Sequence, residues 1–270
     1  MPELPEVETI KNGLKSVCKN HYIVKSQLHT SQLRYPILPS LNNLIAKHKI
    51  LDLQRRAKYL VFKLENGYLL FHLGMSGRMY VTKQYHKNNH EHLTLYLDSN
   101  DVISFCDPRR FGAIIWISAP IDRNPLIQSL GVEPFSEAFS VQYLHQNCLR
   151  RNITIKKLLM EGKTVAGIGN IYASEILFYS EIRPERITKT ISLEECKKIY
   201  HYIKFILTKA IKAGGTTIRD FRNTNNSPGS FVQQLAVYAR LGKNCLKCHR
   251  AILRIIQNKR SSFYCSTCQV

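Results

Sequence analysis

Residues 2–6 read Pro-Glu-Leu-Pro-Glu, directly behind Met1. Removal of Met1 would leave Pro2 with a free secondary amine. An α-amine is only partly protonated at neutral pH, unlike lysine. It can attack an electrophilic carbon and form an iminium ion, the amine form of nucleophilic catalysis. The pyrrolidine ring restrains the direction of that amine. Glu3 stands beside it and could pass protons during the attack, and Glu6 could orient the pair. A structural reading competes with this one. Proline in the first turn of a helix wastes no hydrogen bond, so the same five residues also read as a helix start. Chain termini are usually loose, so a beginning this constrained asks for a reason.

The second chemical feature closes the chain. Cys245-x2-Cys248 is followed after sixteen residues by Cys265-x2-Cys268. That spacing falls within the range of four-thiolate zinc sites. Two-residue gaps let both sulfurs of each knuckle face one tetrahedral ion. Two disulfides are the alternative, disfavoured in a reducing compartment. Four sulfurs leave no open coordination position, so the Zn2+ would be structural. The intervening HRAILRIIQNKRSSFY is expected to fold as a two-stranded ribbon. Its Arg250, Arg254, Lys259 and Arg260 are candidate phosphate contacts. Cys18, Cys106, Cys148 and Cys196 are scattered singly and read as small buried hydrophobes.

These residues need a scaffold. The chain has 270 residues, 44% hydrophobic and 21% charged, enough for one large or two medium domains. Lys and Arg number 39 against 19 Asp and Glu, a net charge of +20, with a pI near 9.7. Such an excess speaks to partners rather than fold, and nucleic acid is the commonest polyanion. Acidic lipid is the other reading, but neither an amphipathic basic helix nor a lipidation signal is plain. No apolar run approaches the ~20 residues of a membrane helix. No secretory signal is visible either, so a cytoplasmic globular protein is expected. The tail alone would suit a transcription factor or ribosomal protein equally.

Val7, Ile10, Leu14 and Val17 recur at helical spacing behind the opening residues. From about residue 20 to 117, β-rich runs alternate with turn residues: KYLVFKL, GYLLFHL, HLTLYL, DVISF and GAIIWI. Strands at this spacing suggest an antiparallel sandwich or barrel. Pro120, Pro125 and Pro134 mark a linker. Helices are expected over roughly 137–149, 153–161, 171–181 and 192–213. The last opens with a Ser192/Glu195 capping box and stops at Gly214-Gly215. The polar stretch 216–231, TTIRDFRNTNNSPGSF, is long enough to be functional or mobile.

Eight stretches carry a family resemblance: MPELPEVET, QRRAKYL, HLGMSGR, DPRRFG, YLHQNC, GIGNIYASE, AGGTTIRDF and FYCSTCQ. In this order they resemble the formamidopyrimidine-DNA glycosylases, bacterial enzymes that remove oxidised purines. They are spread from residue 2 to 269 and so cover essentially the whole chain. The related endonuclease VIII branch usually begins Pro-Glu-Gly-Pro-Glu, so Leu4 favours the purine-directed branch. The resemblance implies a multidomain α+β fold. A leading helix and antiparallel β-sandwich would span 1–117, with a linker at 118–136. A helical domain with a helix–two-turn–helix motif would span 137–234, and a zinc ribbon 235–270.

By the same resemblance, Pro2 attacks the anomeric carbon of the damaged nucleoside to form a Schiff base, and Glu3 moves protons. Lys58 serves β-elimination and contacts a phosphate; read alone it is an ordinary strand lysine. Arg260 serves δ-elimination and phosphate binding. The target base must leave the duplex at an unstacking cost of a few kcal/mol, and apolar wedges fill such gaps. The matches place Met75, Arg109 and Phe111 in that role, with Arg109 facing the orphaned cytosine. Read without the family, Met75 and Phe111 are ordinary strand core residues. Asn170, behind the glycines of GIGN, is expected to donate to a phosphate at a helix start. His90 and Arg150 match further DNA contacts, and the loop 216–231 is expected to close over the extruded lesion. The implied partners are oxidised double-stranded DNA and one structural Zn2+, with no membrane. The implied setting is a cytoplasmic, nucleoid-associated monomer. Two rival readings remain at this level: a non-catalytic zinc-ribbon nucleic-acid binder, and a preference for oxidised pyrimidines.

Overall fold

A computed structural model of the chain describes residues 1–118, 120–217, 224 and 227–270. They form two compact units. The first comprises Met1–Gln128 and Ile211–Val232, the second Ser129–Ala210 and Gln233–Val270. The expected helical segment 137–234 therefore runs through both units, with 211–232 folded into the first. The expected linker contains a 3-10 turn at Ile121–Arg123 and a short helix α3, Pro125–Gln128; Ala119 lies outside the described residues.

In the first unit the expected helix forms as α1, Leu4–Cys18, with Pro5 in its first turn. Its stripe of Val7, Ile10, Leu14 and Cys18 is fully buried, as a 3.6-residue period predicts. Eight strands follow: β1 Ile23–Leu28, β2 Ile50–Arg56, β3 Tyr59–Leu64, β4 Gly67–His72, β5 Arg78–Thr82, β6 Glu91–Leu97, β7 Val102–Cys106 and β8 Ala113–Ile117. A short helix α2, Leu41–Ile45, lies between β1 and β2. The strands make two four-stranded antiparallel sheets, ordered β1-β6-β7-β5 and β2-β3-β4-β8.

The sheets share one core, as in a sandwich. Phe62 and Phe71 of one sheet meet at 5.4 Å between ring centroids, and Phe71 meets Phe105 of the other at 5.5 Å. Leu93, Leu95, Ile103 and the α1 stripe complete that core. Burying a side chain of this size contributes about 1.5–3 kcal/mol, so the sandwich fixes the loops at its rim.

The second unit holds α4 Val141–Leu149, α5 Ile155–Met160, α6 Asn170–Tyr179 and most of α7, Leu193–Lys212. Every residue of α6 from Ile171 to Phe178 is buried, so it is the central helix of the unit. Ser192 and Glu195 make the expected reciprocal box, at 2.8 and 3.1 Å. The ribbon forms as β9 Leu253–Gln257 and β10 Arg260–Tyr264. Asn258 and Lys259 turn between them with φ of 48° and 60°, both positive as a two-residue hairpin turn requires. Among the described residues no helix is long and apolar enough to cross a membrane.

Candidate active site and nucleic-acid interface

The chain start is held by carboxylates. Pro2 is buried, and Glu3 and Glu6 are 2% and 1% exposed. One Glu6 oxygen accepts the Glu3 N–H at 2.8 Å. The other accepts the Thr216 N–H at 2.7 Å. A carboxylate at a helix N-terminus also sits well in the helix dipole field. The structural reading of the opening residues and the chemical one are thus compatible: the helix start is what fixes Pro2 and Glu3.

Thr216 begins the loop expected to cover the lesion. Its base is pinched shut, with Ser230 N–H donating to the Ala213 carbonyl and Phe231 N–H to Gly215. Gly229 permits this closeness, since a Cβ there would stand 2.3 Å from the Gly215 carbonyl oxygen. The loop interior at 218–223 and 225–226 lies outside the described residues. Thr224 packs on α1, where a Cβ at Gly13 would meet its hydroxyl at 2.3 Å.

Lys58 stands in the tight β2–β3 turn and not on a strand. Ala57 takes φ of 52° there. Arg55 sets that turn, giving its Nε to Glu8 of α1 at 2.8 Å and its Nη1 to the Ala57 carbonyl at 3.0 Å. Helix α1 therefore positions the start of the chain and the Lys58 turn together. Nearby, burial, then the Lys58 and Arg34 charges, push His72 down to about 4. Its Nδ1 accepts the Gly74 N–H at 3.0 Å, which leaves the proton of the neutral ring on Nε2.

Met75, Arg109 and Phe111 occupy two neighbouring rim loops rather than the sheet core. Met75 is 38% and Phe111 49% exposed, so neither is the core residue its type suggests. The Arg109 guanidinium lies over the Phe111 ring at 5.2 Å. Arg110 turns away and binds the Thr30 hydroxyl and the Gln32 carbonyl at 2.7 and 2.8 Å. His90, exposed and at φ of 64°, ends a loop anchored on buried Glu91. That carboxylate accepts the Asn88 N–H at 3.1 Å, the Thr94 hydroxyl at 2.6 Å and the Ser104 hydroxyl.

The second unit carries the remaining candidates. Arg260 is exposed at the first position of β10, opposite Gln257. Buried Lys156 holds this end of the ribbon, donating to the Ser261 carbonyl at 3.0 Å and the Ser262 hydroxyl at 2.7 Å. Asn170 opens α6; its amide donates to the same Ser261 carbonyl at 3.0 Å and to the Tyr238 hydroxyl at 3.3 Å. Glu175, fully buried, accepts the Ala236, Val237 and Tyr238 N–H groups at 2.7–3.0 Å. Burial pushes its carboxyl up and those N–H groups draw it back. Arg150 is exposed at the end of α4.

Cys245, Cys248, Cys265 and Cys268 place their sulfurs within 4.8 Å of one another. The Cys245 and Cys268 sulfurs are 3.9 Å apart, and those of Cys248 and Cys265 are 3.4 Å apart. All four are free thiols. Zn–S bonds of ~2.3 Å in a tetrahedron require sulfurs about 3.8 Å apart, so this donor set fits a metal ion and leaves the disulfide alternative without support.

Lys156 and Glu175 are buried and hold the ribbon end and the segment after the loop, yet nothing local marks either as an anchor, although Glu175 closes the GIGNIYASE stretch. A buried lysine or carboxylate looks like any surface charge until its distant partners are known.

Two family models match the chain: the formamidopyrimidine-DNA glycosylase N-terminal domain over residues 1–114 and the H2TH domain of the same family over 130–222. A formamidopyrimidine-DNA glycosylase from Hydrogenovibrio crunogenus is 41% identical over 270 residues, covering 100% of this chain and 96% of the relative. The crystal structure of a Lactococcus lactis FPG mutant in complex with DNA containing Fapy-dG matches with a TM-score of 0.91 at 30% identity, over 99% of both chains. A structure of MutM with DNA containing carbocyclic 8-oxo-G matches with a TM-score of 0.90 at 30% identity, over 99% of both chains.

Proposed function

The chain belongs to the formamidopyrimidine-DNA glycosylase family, and from that premise we propose how its residues divide the work. It is a base-excision-repair enzyme that removes oxidised purines, 8-oxoguanine and formamidopyrimidines, from double-stranded DNA. It is also an abasic-site lyase. In this reading the sandwich segment 1–117 carries the chemistry, and the helical segment 137–234 and ribbon 235–270 hold the duplex.

With Met1 attached, the Pro2 nitrogen is an amide and cannot attack. Once freed, it bonds to C1′ of the damaged deoxynucleoside as the base departs, giving an iminium ion. Glu3, buried beside it, hands a proton to the opening sugar and takes part in later transfers. Lys58 assists β-elimination and contacts a phosphate from its hairpin turn. Arg260 completes δ-elimination, so that the strand is cut on both sides of the sugar. Met75, Arg109 and Phe111 fill the space the nucleotide leaves, and Arg109 presents a donor fork to the orphaned cytosine. His90, Arg150 and Asn170 bind the backbone, and the loop 216–231 closes over the extruded base.

The ion is Zn2+. When bound, it supplies cross-linking of the ribbon and no chemistry. Arg260 then depends on the metal for its place, together with Lys156 beneath it. The enzyme acts as a monomer in the cytoplasm, on nucleoid DNA.

One observation carries this reading: Glu6 grips the Glu3 N–H and the Thr216 N–H together, joining the catalytic start to the base of the lesion loop. The test is base release from duplexes carrying 8-oxoguanine or thymine glycol in one buffer, with strand scission followed in parallel. The expected result is release of the purine with cut strands. Faster release of thymine glycol would support the pyrimidine reading. Binding without any release would support the non-catalytic one.

A further inference from the structure

Asp107 opens the DPRRFG stretch but is buried, at 0% exposed, whereas Arg109 and Phe111 further along it are exposed. A carboxylate removed from water is costly unless its oxygens are satisfied. Here the two oxygens are satisfied from two different loops. Oδ1 accepts the Ser76 hydroxyl at 2.6 Å, from the residue after Met75. Oδ2 accepts the Gly112 N–H at 2.6 Å, from the residue after Phe111. The Ser76 hydroxyl oxygen in turn accepts the Arg109 N–H at 3.2 Å. Asp107 thus binds the neighbours of Met75 and Phe111 directly, and the Ser76 hydroxyl that it holds accepts the backbone N–H of Arg109.

The backbone of Asp107 is fixed as well. Its N–H donates to the His90 carbonyl at 3.0 Å, and its carbonyl accepts His92 Nε2–H at 2.9 Å. The anchor itself therefore cannot drift. Glycines bring the two loops into direct contact. Gly74 adopts φ of +60°, and a Cβ on it would stand 2.5 Å from the Phe111 carbonyl carbon and from the Gly112 nitrogen. A Cβ on Gly112 would stand 3.0 Å from Asp107 Oδ2 and 2.8 Å from the His72 carbonyl oxygen. Only glycine allows the carboxylate this close.

We propose that Asp107 is a positioning residue that locks the Met75 loop to the Arg109–Phe111 loop, so that the three side chains enter the duplex as one preset wedge. The proposal rests on the assignment of those three residues to the vacated space. Its physical basis is preorganisation: loops ordered before binding do not have to be ordered during it. The unstacking cost of a few kcal/mol then meets a wedge already shaped. Arg109 gains most, because discriminating cytosine from another base demands a donor fork held at a set distance and angle.

The test compares three duplexes: 8-oxoguanine opposite cytosine, 8-oxoguanine opposite adenine, and a preformed abasic site opposite cytosine. Asp107→Asn puts an NH2 group where one acceptor stood. A misplacement of about 1 Å costs up to roughly 100-fold, so single-turnover excision opposite cytosine should fall ~10- to 100-fold. Cleavage of the abasic site, which has no stacked base to displace, should stay within about threefold. Preference for cytosine over adenine should narrow. Ser76→Ala removes a single hydroxyl and should shift the ratio of excision to abasic cleavage in the same direction by about fivefold, one hydrogen bond's worth. It also serves if Asp107→Asn does not fold. Equal losses on all three duplexes, or an unchanged ratio in Ser76→Ala, would overturn the proposal while the wild type's own excision leaves the enzyme assignment standing. A wild type that excises nothing would bring down both.

Discussion

Glu6 and Thr216 lie 210 residues apart in sequence and share a 2.7 Å hydrogen bond. The carboxylate oxygen that accepts it belongs to the same group that holds the Glu3 N–H. Glu6→Gln keeps one acceptor and turns the other oxygen into a donor facing an N–H. Leaving a buried donor unsatisfied costs about 1–3 kcal/mol. We expect 8-oxoguanine excision to fall roughly 10-fold, and the melting temperature to drop. Stopped-time excision and thermal melting check this, and wild-type values in both would remove Glu6 as the link.

Arg260→Ala tests the division of the elimination steps. The residue is exposed at the ribbon turn, so the fold should survive. Strands should still be cut, but the 3′ product should shift from phosphate to the unsaturated sugar of β-elimination. Denaturing electrophoresis resolves the two ends. An unaltered product mixture assigns δ-elimination elsewhere.

Removing the metal should act through Arg260. Cys245→Ser, or chelation of the wild type, removes one corner or the whole of the thiolate set. Bound zinc should fall from one equivalent toward none by elemental analysis, and DNA affinity should weaken at least about 10-fold as ribbon phosphate contacts are lost. Full affinity in a zinc-free protein would detach the ribbon from binding.

His72 gives the fold a pH dependence with a definite sign. Its ring is pushed down to about 4 from 6.5, by burial first and then by Lys58 and Arg34. Between those values the unfolded chain binds a proton that the folded one refuses. Stability is therefore unaffected above pH 7 and lost as pH falls from about 6.5 toward 4. From pH 7 to 5 the wild type should lose about 2 kcal/mol more than His72→Gln. Denaturant titrations at the two pH values measure the difference, and parallel losses would mean the ring is not held neutral.

What the sequence made legible follows from how local each signal is. The Ser192/Glu195 box and the Val7–Ile10–Leu14 face need only neighbours within a turn. KYLVFKL and GYLLFHL stood out because β3 and β4 are interior strands with few charges. IVKSQL, ILDLQRR and RMYVT did not stand out, and each forms an edge: β1 and β5 of one sheet, β2 of the other. Edge strands carry charges that discourage pairing with other chains, and those charges blur the alternation. Lys58 read as a strand residue because nothing in RRAKYL announces a positive φ at Ala57. Cys148 and Cys196, scattered singly in sequence, are both buried free thiols in the fold, as small apolar residues would be. Asp107 was invisible as an anchor because Ser76 lies 31 residues away.

The bond between Pro2 and deoxyribose can be captured by borohydride reduction. The enzyme, freed of Met1, is mixed with an 8-oxoguanine duplex and reduced, and the cross-linked peptide is mapped by mass. One adduct is expected, on the Pro2 nitrogen, and none in protein that retains Met1 or an N-terminal extension. An adduct on Lys58 or another lysine, or equal trapping with the terminus blocked, would contradict that assignment.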